Sequence, residues 1–454
     1  MASRAFPDLL ALGAELRAGR VRSRELVETA LAAIAAPEGE GARTFLRVFA
    51  EEARKAADSI DARFAAGGFL PPLAGIPISI KDLFDVAGLP TTAGSVVLAD
   101  APPATEDAPA VRRLREAGAV IVGRTNMTEF AYSGIGQNPH HGIPKNPFGR
   151  EIGRIPGGSS SGAAISVTDG MCAIGIGTDT GGSVRIPAAL TGLVGWKPTA
   201  DRIPRDGVIP LSPTLDSVGP LARSVADAAL VDAVLAGDEP FPIAPVSLVG
   251  RRLLAPTNLV LDELDEHVAR AYFSSLARLR AAGATVVEAE LAPLESLDYI
   301  HRHGSLGGAE SWAWHRDLLA REGHRYDPRV RVRIEMGRGT TPADMANLLR
   351  ERTAWIASVR RATFGFDAMV WPTVAIVAPL ISELRTDRGF ARLNSLVLRN
   401  TFVVNFLDGC AASIPCHRAG DLPVGLMVVG QRREDEATMR LAAAIEAVVS
   451  PVEG

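Results

Sequence analysis

The sequence predicts an α/β fold with a mostly parallel or mixed sheet, and three observations carry that expectation. Short apolar, β-branched runs alternate with amphipathic stretches of helix length. The 454 residues are 47% hydrophobic and 22% charged, a globular balance in a chain long enough for a large core. No internal repeat or low-complexity tract interrupts the pattern.

The elements follow in chain order. Residues 21–36, VRSRELVETALAAIAA, space apolar side chains as a helix does, with Ser23 as N-cap. Residues 1–70 read largely as helices. GIPISIKD (75–82) and GAVIVGRTN (118–126) read as buried strands. Ile76, Ile78 and Ile80 alternate on one strand face, which puts Lys81 on the other. Residues 111–126 read as helix, glycine turn and strand, and 251–291 as strand, helix and strand. EPFPIAP (239–245) is the candidate linker. Strand-rich texture on both sides of it favours one sheet over two domains. Residues 296–350 are helical by pattern and carry Trp312, Trp314 and His315. They are expected to form a lid-like border of a pocket.

Charge and cysteine usage exclude several classes. The formal net charge is -4, from 48 basic and 52 acidic residues. Such a chain offers no basic field to follow a nucleic-acid backbone. Cys172, Cys410 and Cys416 cannot build a disulfide framework, and none belongs to a CxxC pair. A reducing, cytoplasmic compartment fits them. The N-terminal residues lack an apolar signal core, and no uninterrupted apolar stretch is long enough to span a bilayer. Neither HExxH nor a Cys/His cluster offers a metal site. Lysine is scarce, at positions 55, 81, 145 and 197 alone among the 48 basic residues. Unlike arginine, a buried lysine can act as a neutral base.

Residues 153–199 hold the most unusual chemistry. Two Gly-Ser clusters, Gly157–Gly162 and Thr180–Ser183, each precede small residues able to start a helix. Glycines at a helix start aim backbone N–H groups at an anion or a developing oxyanion. A phosphate loop is disfavoured, because no GK[ST] follows and GIGTDT lacks the third glycine of GxGxxG. Gly158–Gly162 literally matches GxSxG with Ser160 at its centre, so an α/β-hydrolase esterase is a remote alternative. GREIGRIPG ahead of it does not read as the strand such an elbow needs. Lys81 closes an apolar run. Desolvation there would lower its pKa and let it activate a serine.

These blocks together resemble the amidase signature family. GGSSSG, GTDTGGSVRIPAALTGLVGWKPT, the GIPxxIKD stretch, GRTNMTEFA (123–131) and DLPVGLMVVGQRREDEATMRLAAAIE (421–446) carry the likeness, over roughly residues 7–447. The resemblance implies one domain over residues 1–454: a large mixed central sheet covered by helices on both faces, an α/β/α sandwich. Its parts are N-terminal helices (about 1–70), a signature core (about 71–235), and a C-terminal part of the same sheet with the helical segment at about 296–350. It also implies a Ser–cis-Ser–Lys triad, which motif position places on Ser183, Ser159 and Lys81. The oxyanion hole then falls on the backbone of Thr180, Gly181, Gly182 and Ser183. Asp179 and Arg185 are expected to fix the loop, and Ser160 to hydrogen-bond within the site.

The function so implied is a serine amidohydrolase that cleaves C–N bonds of amides, anilides or carbamates through an acyl-enzyme. It needs no metal or organic cofactor. Its partners are a small-molecule amide or carbamate, with no nucleic acid and no membrane, and it acts as a monomer or homodimer. The alternative within the same resemblance is the A-type subunit of a glutamine-dependent amidotransferase, which requires partner chains.

Overall fold

A computed structural model describes residues 6–68, 70–240 and 243–450. Among them eleven strands form a single sheet: β1 Phe45–Val48, β2 Pro77–Lys81, β3 Val120–Thr125, β4 Ile174–Asp179, β5 Val194–Lys197, β6 Ser217–Ala222, β7 Arg252–Pro256, β8 Thr285–Ala289, β9 Ala368–Pro372, β10 Cys410–Pro415 and β11 Gly425–Gly430. The spatial order is β1-β3-β2-β4-β6-β5-β10-β11-β9-β7-β8. The sheet is mixed. β3, β2 and β4 run parallel, as do β9, β7 and β8, while the pairs between β4 and β9 are antiparallel.

Side-chain alternation shows that both sheet faces are covered. In β11, Val428 joins one apolar cluster while Met427 and Val429 join another. β9 repeats the split, with Val370 on one side and Met369 and Trp371 on the other. The first cluster includes Tyr272 and Leu276 of helix Glu266–Ala281 and Met439 and Ile445 of helix Asp435–Val449. The second includes Trp355 of helix Pro342–Ala362 and Phe406 of helix Asp387–Leu407. A sheet buried on both faces reads as continuous apolar runs, which is why β10 and β11 contain no charged residue.

Ser23–Ala35 is helical, as its spacing predicts, and Ser23 is its first residue. Arg22 occupies the N-cap, with its backbone N–H donating to Glu25 at 3.1 Å. Phe241 and Pro242 of the candidate linker lie outside the described residues. The strands before and after that stretch, β6 and β7, belong to the same sheet.

Candidate active site

Strand β2 is buried on both faces and ends at Lys81. It runs parallel to β4 with Ile80 opposite Ile176, so the two C-terminal ends meet at one edge of the sheet. Here Lys81 Nζ lies 2.8 Å from Ser159 Oγ and 2.9 Å from Thr178 Oγ1. Burial lowers the Lys81 pKa to about 7, although the charges of Asp179 and Asp216 pull the other way. A neutral amine is therefore accessible near neutral pH.

Ser159 sits in the loop that leads into helix Ser161–Thr168, after a cis Gly158–Ser159 peptide bond. Its carbonyl accepts the Thr128 N–H at 3.1 Å. The Ser160 N–H donates to the Ser183 carbonyl at 3.3 Å, which ties the two Gly-Ser loops together. The Ser160 hydroxyl donates to the Thr178 carbonyl at 3.4 Å. No strand leads into Ser160, because residues 155–160 are loop. The strand-to-helix elbow required by the GxSxG reading is thus missing, and the esterase alternative built on Ser160 falls with it.

Asp179, the last residue of β4, organises the second loop. Its carboxylate accepts the Gly182 N–H at 2.9 Å and the Val184 N–H at 3.2 Å, plus Arg185 Nε at 3.0 Å and Nη2 at 2.8 Å. Asn405 Nδ2 donates to the same carboxylate at 2.9 Å, while Asn405 Oδ1 accepts from Arg185 Nη2 at 2.7 Å. Burial alone would raise the Asp179 pKa, but the Arg185 guanidinium outweighs it and holds the carboxyl at about 2. Arg185 and Asp179 are both fully buried, so the ion pair faces the protein and not a pocket.

Gly182 has φ 130°, and a side chain there would begin 2.1 Å from Thr401 Oγ1. Only glycine fits that turn. The Gly182 N–H points inward to Asp179. Of the four residues expected to supply an oxyanion hole, Gly182 thus has its N–H engaged by the Asp179 carboxylate. Thr180 is anchored through its hydroxyl, which donates to Asp216 Oδ1 at 2.5 Å. Burial pushes the Asp216 carboxyl up to about 6.

Two cavities adjoin this loop. One of about 370 Å³ is lined by Thr178, Thr180 and Asp216. One of about 1220 Å³ is lined by Leu398 and Phe402, whose side chains lie 3.4 and 3.6 Å from where a side chain on Gly181 would begin. The predicted lid contributes to the larger cavity through Asp327–Met336. Its aromatic residues do not line that cavity. His315 is buried against Phe130 at 4.5 Å between ring centroids, and its Nδ1 lies 3.0 Å from the Tyr326 hydroxyl. Trp314 packs on the same Phe130.

Sequence reasoning missed Thr178, Thr401 and Asn405. A signal for Thr178 existed, since parallel β2 and β4 must bring their ends together. Thr401 and Asn405 lie more than two hundred residues from the loop they hold, on helix Asp387–Leu407. No local spacing reports such a contact. Among the described residues, no His, Cys, Asp or Glu group is arranged to hold a metal ion, and no helix is long and apolar enough to cross a membrane.

Comparison with known proteins agrees with this architecture. The sequence profile of the Amidase family matches residues 25–439. The chain is 36% identical over 441 residues to the 2-amino-5-chloromuconic acid deaminase of Comamonas testosteroni, covering 95% of each. It is 37% identical to the A-type subunit of the glutamyl-tRNA(Gln) amidotransferase from Anaeromyxobacter dehalogenans (strain 2CP-C), covering 97% of this chain and 96% of that one. A crystal structure of an amidase superposes with a TM-score of 0.87 at 33% identity, covering 98% of this chain and all of the other. The peptide amidase of Stenotrophomonas maltophilia superposes with a TM-score of 0.78 at 29% identity, covering 99% and 98%. The chain belongs to the amidase family of carbon–nitrogen hydrolases.

Proposed function

We propose that the protein hydrolyses small amides, and by the same chemistry anilides or carbamates, through an acyl-enzyme on Ser183. The observation that carries this reading is the buried Lys81–Ser159 contact of 2.8 Å, with Thr178 as the second partner of Nζ. In the neutral amine, Nζ donates to Thr178 Oγ1, and its lone pair is free to accept the Ser159 proton. Ser159 in turn accepts the Ser183 proton as Ser183 Oγ bonds to the substrate carbonyl carbon. The resulting oxyanion takes hydrogen bonds from N–H groups of the Thr180–Ser183 loop. One such donor is worth about 2.7–4 kcal/mol of barrier.

Collapse breaks the C–N bond. The departing amine takes a proton from Ser159, which is refilled from the Lys81 ammonium. Water then attacks the acyl carbon and passes its proton along the same relay. The acid leaves and Ser183 regains its hydrogen. The net change is amide plus water to acid plus amine, and Lys81 returns to the neutral state.

A second reading, an amidotransferase A-type subunit, rests on the 37% identity to such a chain. The test is turnover by the purified chain alone on an amide, anilide, ester and carbamate panel, with fluorophosphonate labelling. The proposal expects multiple turnovers and an adduct on Ser183, both abolished in Ser183→Ala. Labelling at Ser159 would overturn the assignment of the nucleophile. Turnover seen only with added partner chains would favour the amidotransferase reading.

A further inference from the structure

Helix Leu306–Glu322 of the predicted lid reaches the body of the protein through Glu310. Its carboxylate accepts the Ser212 hydroxyl at 2.5 Å, the Thr214 N–H at 3.1 Å and the Thr214 hydroxyl. All three donors are neutral groups of one short turn. A staple between lid and body needs only a rigid element to end on. Glu310 ends instead on the turn that carries Asp216.

That turn, at 212–216, is closed on itself. The Leu215 and Asp216 N–H groups donate to the Ser212 carbonyl at 2.9 and 2.8 Å. Asp216 Oδ1 accepts the Ser212 N–H at 3.1 Å, and the same oxygen accepts the Thr180 hydroxyl at 2.5 Å. Ser212 is thus gripped by Glu310 through its hydroxyl and by Asp216 through its N–H. It is fully buried, so water does not replace a lost partner. On its other side the helix meets the wall of the larger cavity. Gly337 follows the cavity-lining Met336, and a side chain on it would begin 1.9 Å from the Gly308 carbonyl oxygen. Glu310 itself lines neither cavity near the loop.

We infer that Glu310 is a positioning residue for amide hydrolysis: it holds the oxyanion loop in place through the turn at 212–216 and the Thr180 hydroxyl. The inference rests on the amidase reading above. It adds that a lid residue sets kcat without touching the substrate.

The test is a double-mutant cycle between Glu310→Ala and Thr180→Val, read on an amide that the wild-type enzyme turns over. Glu310→Ala should lower kcat about tenfold and leave KM within about twofold, because a displaced loop forfeits part of the roughly 100- to 1,000-fold that one oxyanion contact supplies. Fluorophosphonate labelling of Ser183, which also builds negative charge on an oxygen at that loop, should slow by a similar factor. Thr180→Val breaks the connection further along, so adding Glu310→Ala to it should cost less than about another twofold in kcat. Ser212→Ala and Thr214→Val remove hydroxyl contacts while Glu310 stays. They should give a smaller loss of the same kind, and they serve where Glu310→Ala does not fold. Fully multiplicative losses in the double variant would overturn the inference, and so would a loss carried by KM. An unchanged kcat beside a lowered melting temperature would do the same, leaving Glu310 a staple for the lid. Failure of the underlying amidase reading looks different: the wild-type enzyme turns over no amide and Ser183 takes no label.

Discussion

Lys81 and its two hydroxyl partners form the smallest unit that explains the chemistry. Thr178 is not a member of the proposed relay, yet it decides where the Nζ lone pair points. Thr178→Val removes the acceptor at 2.9 Å and leaves an Nζ hydrogen unpaired in a buried site. The cost of one such group is about 1–3 kcal/mol, so kcat should fall roughly tenfold or more. The pH profile should also shift, and Thr178→Ser should restore both. A lowered melting temperature with an unchanged pH profile would reduce Thr178 to a packing residue. Gly182 is limiting for a different reason. A methyl at its Cβ position meets Thr401 Oγ1 at 2.1 Å and requires a left-handed φ of 130°. Gly182→Ala should therefore displace the loop and lose activity, measured as kcat beside a thermal melt.

The elements transmit these constraints over long sequence distances. Parallel β2 and β4 bring Lys81 to Thr178, and helix Asp387–Leu407 braces the loop through Thr401 and Asn405. The local pieces were legible in the sequence: GIPISIKD forms a buried strand, and the small-residue run after GGSSSG starts a helix. Lysine scarcity together with the apolar run that it closes marks Lys81 in the sequence. The bracing was not legible, because it joins residues whose only relation is tertiary. The same holds for the predicted lid, where the aromatic signal marked packing around Phe130 while charged and apolar residues of Asp327–Met336 line the cavity. Asp179 is where the bracing converges. Asp179→Asn leaves the fully buried Arg185 without a countercharge, which costs about 3–5 kcal/mol. A urea titration reads that loss as a lower midpoint, and an unchanged midpoint would contradict the bracing role.

At the scale of the whole molecule, buried charge links stability to pH. Asp216 and Asp232 are both raised by burial to about 6. Their folded-state values exceed the unfolded value, so their contribution is complete in acid and is lost as pH rises through about 6. The buried lysines act with the opposite sign on the alkaline side. Burial lowers Lys81 to about 7 and Lys197 to about 8. Between those values and the ~10.4 of a free lysine, the unfolded chain binds more protons than the folded one. From about pH 8 to 10 each lysine should therefore add up to about 1.4 kcal/mol of stability per pH unit, while the buried thiols of Cys172, Cys410 and Cys416, raised by burial, work in the opposite direction. Denaturant titrations of wild type and Lys197→Met across that range isolate one lysine, and the variant's slope should be the less positive by up to about 1.4 kcal/mol per pH unit. Identical slopes would mean that Lys197 is charged in the fold.

The central claim is that Lys81 works as a neutral amine, and the rate of Lys81→Arg across pH tests it most directly. The wild-type rate should rise through about pH 7 and level off above it, following deprotonation of Lys81. Arginine keeps the charge and most of the bulk but cannot surrender a proton at any workable pH. Lys81→Arg should therefore be nearly as inactive as Lys81→Ala from pH 6 to 10, with the fold retained by circular dichroism. Activity near wild type in Lys81→Arg would contradict the relay and leave Lys81 an electrostatic or structural role.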